Sequence, residues 1–137
     1  MNFKNIHIGE LIEGIVKESQ MDIKRICKFL DTDEDEVKNM YLRDSLETNI
    51  LLKWSKLLSY DFFRFYSQHL ILYSPQVKTR EMKSGTKAHL FRKNIYTREI
   101  IDFILEQINT NVKTPKQVVD DYNIPKTTLY KWMSKYN

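Results

Sequence analysis

A chain of 137 residues fits one ordinary domain or two very small ones, and only three Gly and three Pro argue against turn-rich β structure. With 42% hydrophobic and 12% aromatic residues the composition is that of a globular protein, and a net charge of +4 suits an anionic partner. The single cysteine, Cys27, excludes an internal disulfide and fits a reducing compartment; neither a leader pattern nor an apolar run of about 18 residues is present, so a cytoplasmic protein without membrane spans is expected.

The spacing of Ile8, Leu11, Ile12, Ile15 and Val16 predicts a first helix with one apolar face. Gly14 inside it weakens the helix by about 1 kcal/mol relative to Ala and reads as a place where a neighbour approaches closely. A second helix opens near Asp22, with Ile23, Ile26, Cys27 and Leu30 inward. Cys27 on that stripe reads as a small buried side chain, because the sequence places no His or Asp partner that would make it a nucleophile. Asp31-Thr32-Asp33 forms a turn and cap for a third helix reaching Tyr41, held by Val37, Met40 and Tyr41. Its first turn, Asp33-Glu34-Asp35-Glu36, complements the helix dipole. A fourth helix runs from about Glu47 with Ile50, Leu51, Trp54, Leu57 and Leu58 inward, and Asp61 caps a fifth, Phe62 to Tyr73.

Over about residues 8–66 this order of five short helices resembles the lambda-repressor/Cro-type helix-turn-helix domain. The matching stretches are Ile26–Leu30, Val37 to Tyr41, and Ser45-Leu46-Glu47-Thr48 with Leu51-Leu52 and Leu57-Leu58. The resemblance implies that fold, with the third helix in a DNA groove. This chain departs from the pattern there, since Asp33, Glu34, Asp35 and Glu36 would be repelled by phosphates. The expectation is a domain that keeps the fold without the groove contact. Lys24, Arg25 and Lys28 read as a solvated face, with backbone contact as the alternative.

The fifth helix is apolar on most sides, through Phe62, Phe63, Phe65, Tyr66, Leu70, Ile71, Leu72 and Tyr73. Such a helix is either central to a core or shared with another chain. A self-associating surface of Phe62, Phe63, Phe65, Tyr66, Leu70 and Tyr73, giving a homodimer, is the preferred reading; docking of the C-terminal part is the alternative. Residues 75–94 lack helical or strand periodicity and contain Pro75, Ser84 and Gly85, so they read as a flexible linker. The positive excess lies here: residues 75–98 hold 7 Lys+Arg against 1 acid, whereas 1–74 hold 10 against 12 and 99–137 hold 5 against 5. Lys78, Arg80, Lys83, Lys87, Arg92, Lys93 and Arg98 are expected along phosphates or in a minor groove. The alternative is a linker that only solvates.

Thr97 caps the next helix, with Ile100, Ile101, Ile104, Leu105 and Ile108 inward and Asn109-Thr110-Asn111 ending it. Thr114, Pro115 and Gln117 carry an N-cap, a first-turn proline and capping-box spacing for a short helix striped by Val118, Val119 and Tyr122. Asn123 suits a left-handed turn, and Pro125 opens a last helix with Leu129, Trp132, Met133 and Tyr136 at apolar spacing. Lys126, Thr127, Thr128, Tyr130, Lys131, Ser134 and Lys135 fall off that stripe. Over about the last forty residues, Asn123-Ile124-Pro125-Lys126-Thr127-Thr128-Leu129-Tyr130-Lys131-Trp132 resembles the recognition-helix entry of homeodomain-like modules in insertion-sequence transposases and resolvases. The resemblance implies DNA contact through Lys126, Thr127, Thr128, Tyr130, Lys131 and Lys135; the spacing alone gives a compact helical hairpin, with packing as its alternative role.

Catalytic signals are missing. His7, His69 and His89 are scattered, no Cys pair exists, and no Gly-rich phosphate loop, Gly-x-Ser-x-Gly or His-Glu-x-x-His occurs. No metal, cofactor or small-molecule substrate is inferred, and an enzyme is not expected. The sequence therefore points to an all-α chain of two small helix-turn-helix-type modules, about five helices then three. Residues 1–74 would form a Cro-type domain for oligomerisation, 75–94 a basic linker, and 95–137 a homeodomain-like module. Double-stranded DNA is the expected partner, with the chain acting as a transcriptional regulator or the non-catalytic DNA-binding component of a mobile element. A protein-interaction adaptor docking through the aromatic helix 61–74 is the alternative.

Overall fold

The chain is described by a computed structural model covering residues 3–74 and 96–136. Among the described residues all regular structure is helical: α1 Ile8–Ser19, α2 Ile23–Leu30, α3 Glu34–Leu42, α4 Thr48–Leu58, α5 Phe63–Tyr73, α6 Arg98–Asn109, α7 Pro115–Tyr122 and α8 Lys126–Tyr136. The all-α class expected from the sequence is what is found. Among these residues no helix is long and apolar enough to cross a membrane. The basic segment 75–94 lies outside the described residues.

Packing divides the chain into two compact units, Asn2–Tyr66 and Ser67–Asn137. The division falls inside α5, ahead of residue 74, where the sequence reading ends its first domain. The first turn of α5 thus counts with the N-terminal unit and the remainder with the C-terminal one.

Short polar side chains set the helix starts. Asp22 Oδ1 accepts from the Lys24 N–H (3.3 Å), Asp33 Oδ1 from Glu36 (2.8 Å), Asp61 Oδ1 from Phe63 (3.0 Å) and Thr97 Oγ1 from Ile100 (3.3 Å). Each satisfies one of the orphan donors of a first helical turn. Glu47 precedes α4 without a side-chain cap. The sequence assigned no cap to α1, yet His7 Nδ1 accepts from the Glu10 N–H at 3.1 Å.

In the N-terminal unit the core gathers Phe3, Ile8, Ile12, Ile26, Val37, Leu51, Trp54, Phe62 and Phe65. Trp54 is fully buried, and its indole N–H donates to the Met40 sulfur at 3.3 Å, which spares an unpaired donor in an apolar core. The close approach expected at Gly14 occurs at Gly9 instead. A Cβ on Gly14 would meet nothing within 4 Å, whereas one on Gly9 would stand 2.5 Å from the Met40 carbonyl oxygen, 2.6 Å from that of Arg43, and against that of Tyr41. The end of α3 runs over the start of α1 so tightly that the Ile8 N–H donates to Asp44 O and the Gly9 N–H to Arg43 O, both at 2.9 Å.

In the C-terminal unit Ile100, Ile101, Ile104 and Leu105 of α6 share a core with Val118, Tyr122, Ile124, Leu129 and Trp132. The Tyr122 hydroxyl donates to Gln107 Oε1 at 3.0 Å, and Tyr96 meets the Trp132 ring edge-on at 5.0 Å. From α5, Gln68 Nε2 donates to Glu99 Oε2 of α6, while Tyr73 meets Tyr122 edge-on at 5.8 Å. Burial, and then Tyr122 beside it, push the Tyr73 phenol well above its ordinary range.

Candidate nucleic-acid interface

The hairpin α7–α8 is built from its turn outward. Thr114 Oγ1 accepts from the Gln117 N–H at 3.2 Å while Gln117 Oε1 accepts from the Thr114 N–H at 2.8 Å, closing the capping box that the sequence predicts. The helix stops at Asn123, whose φ of 54° is left-handed. Ile124 is 1% exposed and plugs the turn. Sequence spacing left Ile124 off the apolar stripe; an aliphatic residue wedged between a left-handed Asn and Pro125 was the available signal. Pro125 O then accepts from the Leu129 N–H at 3.1 Å as α8 begins.

Leu129 and Trp132 face inward, and Met133 and Tyr136 are half-buried. On the other side Lys126, Thr127, Tyr130, Lys131, Ser134 and Lys135 are exposed, with Thr128 half-buried at the margin. The Lys126 ammonium lies 5.7 Å from the Tyr130 ring centroid and that of Lys135 5.2 Å from the Tyr136 ring. Ahead of α7, Lys113 pairs with Asp121 of that helix, a hydrogen bond that pushes the lysine above its usual range. Among the described residues no ion pair joins Lys126, Lys131 or Lys135 to a carboxylate, whereas Lys113 is held by Asp121.

Other residues assigned to DNA from sequence fare differently. Arg98 is the first residue of α6, where its Nε pairs with Asp102 at 3.0 Å and its guanidinium lies 4.1 Å from the Tyr136 ring centroid. It is an exposed cation engaged with Asp102 and Tyr136. Lys78, Arg80, Lys83, Lys87, Arg92 and Lys93 lie outside the described residues.

The aromatic surface on α5 needs correcting. Phe62 and Phe65 are buried against Tyr60 within the N-terminal unit, at ring separations of 4.9 and 6.2 Å. They are unavailable to a second chain. Phe63, Tyr66 and Tyr73 are half-buried, leaving Leu70, 45% exposed, as the outward apolar residue of the set.

A second hairpin in the chain has the same build. α2 and α3 are joined by residues 31–33 as α7 and α8 are by 123–125, with Asp31 and Asn123 both at φ 54°. At one constant sequence offset Ile26 matches Val118, Leu30 matches Tyr122, Val37 matches Leu129 and Met40 matches Trp132, all buried. From Asp22 to Arg43, against Thr114 to Lys135, every position has the same degree of burial except half-buried Thr32, whose counterpart is Ile124. The outer faces are opposed in charge. Where α8 presents Lys126, Thr127, Tyr130 and Lys131, α3 presents Glu34, Asp35, Lys38 and Asn39, with Arg43 pairing back to Glu36 at 3.0 Å.

Cys27 in this first hairpin is half-buried, not fully enclosed. Partial burial, then the Glu34 and Asp33 carboxylates, push its thiol above the usual range, so the thiolate is scarce at neutral pH. Iodoacetamide alkylation of the folded chain is expected to rise with a midpoint above the ordinary thiol pKa of about 8.5. A lower midpoint would show an activated thiol. Among the described residues no group of three or more His, Cys, Asp or Glu side chains is placed to hold a metal ion.

No protein-family model, curated protein or solved structure shows significant similarity to the chain.

Proposed function

We propose that the protein binds double-stranded DNA through α8, as a transcriptional regulator or as the non-catalytic DNA-binding component of a mobile element. The observation that carries this reading is the outer face of α8. Lys126, Thr127 and Lys131 are exposed there, on a hairpin whose pattern of burial matches that of α2–α3 and therefore does not dictate what the surface must be. Helix α3 shows that carboxylates are equally compatible with the scaffold. Cations and hydroxyls at the corresponding places suit phosphate oxygens and base edges. An 11-residue helix set off by a tight turn is also the shape that a major groove admits.

Division of labour follows from charge. Lys126 and Lys131 would neutralise phosphates and release counterions, the source of non-specific affinity. The acidic start of α3 keeps the N-terminal hairpin off the duplex for the same electrostatic reason. Pairing of two chains belongs to the proposal, since two heads on one duplex gain from effective concentration; within the aromatic set, Leu70 is the outward contact left for it.

The test is a mobility shift with the whole chain and random duplex DNA at low and moderate salt. Binding that weakens with salt is expected, and Lys131→Ala should lower affinity and reduce the slope of log K against log salt by about 1. Lys131 is exposed, so the variant should fold as the parent does. No retention of duplex at low salt would overturn the reading.

A further inference from the structure

Tyr130 is out of place as a structural residue. It is 49% exposed, next to Leu129, which is fully buried. Its counterpart on the first hairpin is Lys38, so an aromatic ring is not required by this position of the scaffold. Among the described residues, the ring's charge contact is with the Lys126 ammonium, 5.7 Å from its centroid. About half of the residue is open to solvent, on the face that also exposes Lys126, Thr127 and Lys131.

The neighbours supply charge and small hydroxyls; Tyr130 alone on this face supplies apolar area. Lysines are strongly hydrated point charges on flexible stems, suited to phosphates and poor at shape readout. An apolar surface facing a major groove finds one apolar group on the base edges, the 5-methyl of thymine, beside the O4 acceptor. We infer that Tyr130 is the specificity-determining residue of α8 and that it reads a thymine, with the ring against the 5-methyl and the phenol hydroxyl free to donate to a nearby acceptor. The inference rests on the reading of α8 as the DNA-contacting helix.

The experiment starts from duplexes selected out of random DNA by the whole chain, then replaces each thymine in turn by deoxyuridine, which removes the methyl and nothing else. Affinity is read by fluorescence anisotropy. At one position the parent should lose about fourfold, the worth of one buried methyl. Tyr130→Phe should keep that discrimination, whereas Tyr130→Ala should bind the thymine and deoxyuridine duplexes alike with an unchanged salt slope. Selected sites without a fixed A·T pair, indifference of the parent to every deoxyuridine, or discrimination surviving in Tyr130→Ala would each overturn the inference while α8 remains a DNA-binding helix. Failure of the parent to retain any duplex would instead remove the reading beneath it, and Lys131→Ala would then be as silent as Tyr130→Ala.

Discussion

Replacing Gly9 by Ala is expected to destabilise the N-terminal unit by about 3 kcal/mol, whereas Gly14→Ala should stabilise it by about 1 kcal/mol. The two glycines are five residues apart in α1, and composition treats them alike. What separates them is the end of α3. The carbonyl groups of Met40, Tyr41 and Arg43 cross the first turn of α1 so closely that a methyl at Gly9 meets backbone oxygens well inside contact distance. Side chains can rotate out of the way, but these oxygens cannot. Their displacement would also stretch the bonds from the Ile8 and Gly9 N–H groups to Asp44 O and Arg43 O, each worth about 1 kcal/mol. Gly14 has open space around its Cβ position, so Ala there only removes the backbone freedom that glycine keeps in the unfolded chain. Urea denaturation followed through Trp54, at the centre of this unit, checks both variants. A Gly9→Ala chain as stable as the parent would show that the crossing is loose.

Much of the helical layout is legible because helix ends are local events. Asp22, Asp33, Thr97 and Thr114 each bond backbone N–H groups within three residues, so their type and spacing suffice to place a boundary. Asn123 at the left-handed turn is similarly self-contained. Gly9 is not: nothing in α1 reveals that another helix end passes over its first turn. The aromatic helix α5 misleads for a related reason. Its apolar residues on several sides read as a surface for a second chain, yet Phe62 and Phe65 count with one compact unit and Gln68, Ile71 and Leu72 with the other, all buried. The kinship of the two hairpins escapes a reading by identity. Over Asp22–Arg43 and Thr114–Lys135 only Lys24 and Lys116 are identical, because burial fixes where an apolar side chain sits and leaves its shape free. The candidate site was more accessible to sequence than the core around it, since exposed cations are whatever the apolar stripe omits. Thr128, at the edge of that stripe and half-buried, marks the limit of that argument.

Carrying the α3 surface onto α8 should separate charge from fold. The triple variant Lys126→Glu, Thr127→Asp and Lys131→Asn places on α8 the residues that α3 bears at the corresponding positions, Glu34, Asp35 and Asn39. Folding should tolerate it, because none of the three contributes a buried side chain and carboxylates in the first turn of a helix are favourable by about 0.3–1 kcal/mol each. The far-UV circular dichroism and the urea midpoint are therefore expected to stay at parental values. Duplex affinity is expected to fall by about a hundredfold at low salt, as two cations are lost and two anions face the phosphates. A single alanine variant such as Lys131→Ala removes one cation and gives a correspondingly smaller change. In the triple variant the hairpin keeps its interior and its cap while the sign of its outer face is reversed, so a drop in affinity can be assigned to the surface alone. Unchanged affinity in a folded triple variant would move DNA contact away from α8 altogether. The converse substitutions Glu34→Lys, Asp35→Thr and Asn39→Lys test whether the scaffold is as neutral as the matching burial implies: salt-dependent duplex affinity should rise, since α3 would then present the cations that α8 presents now.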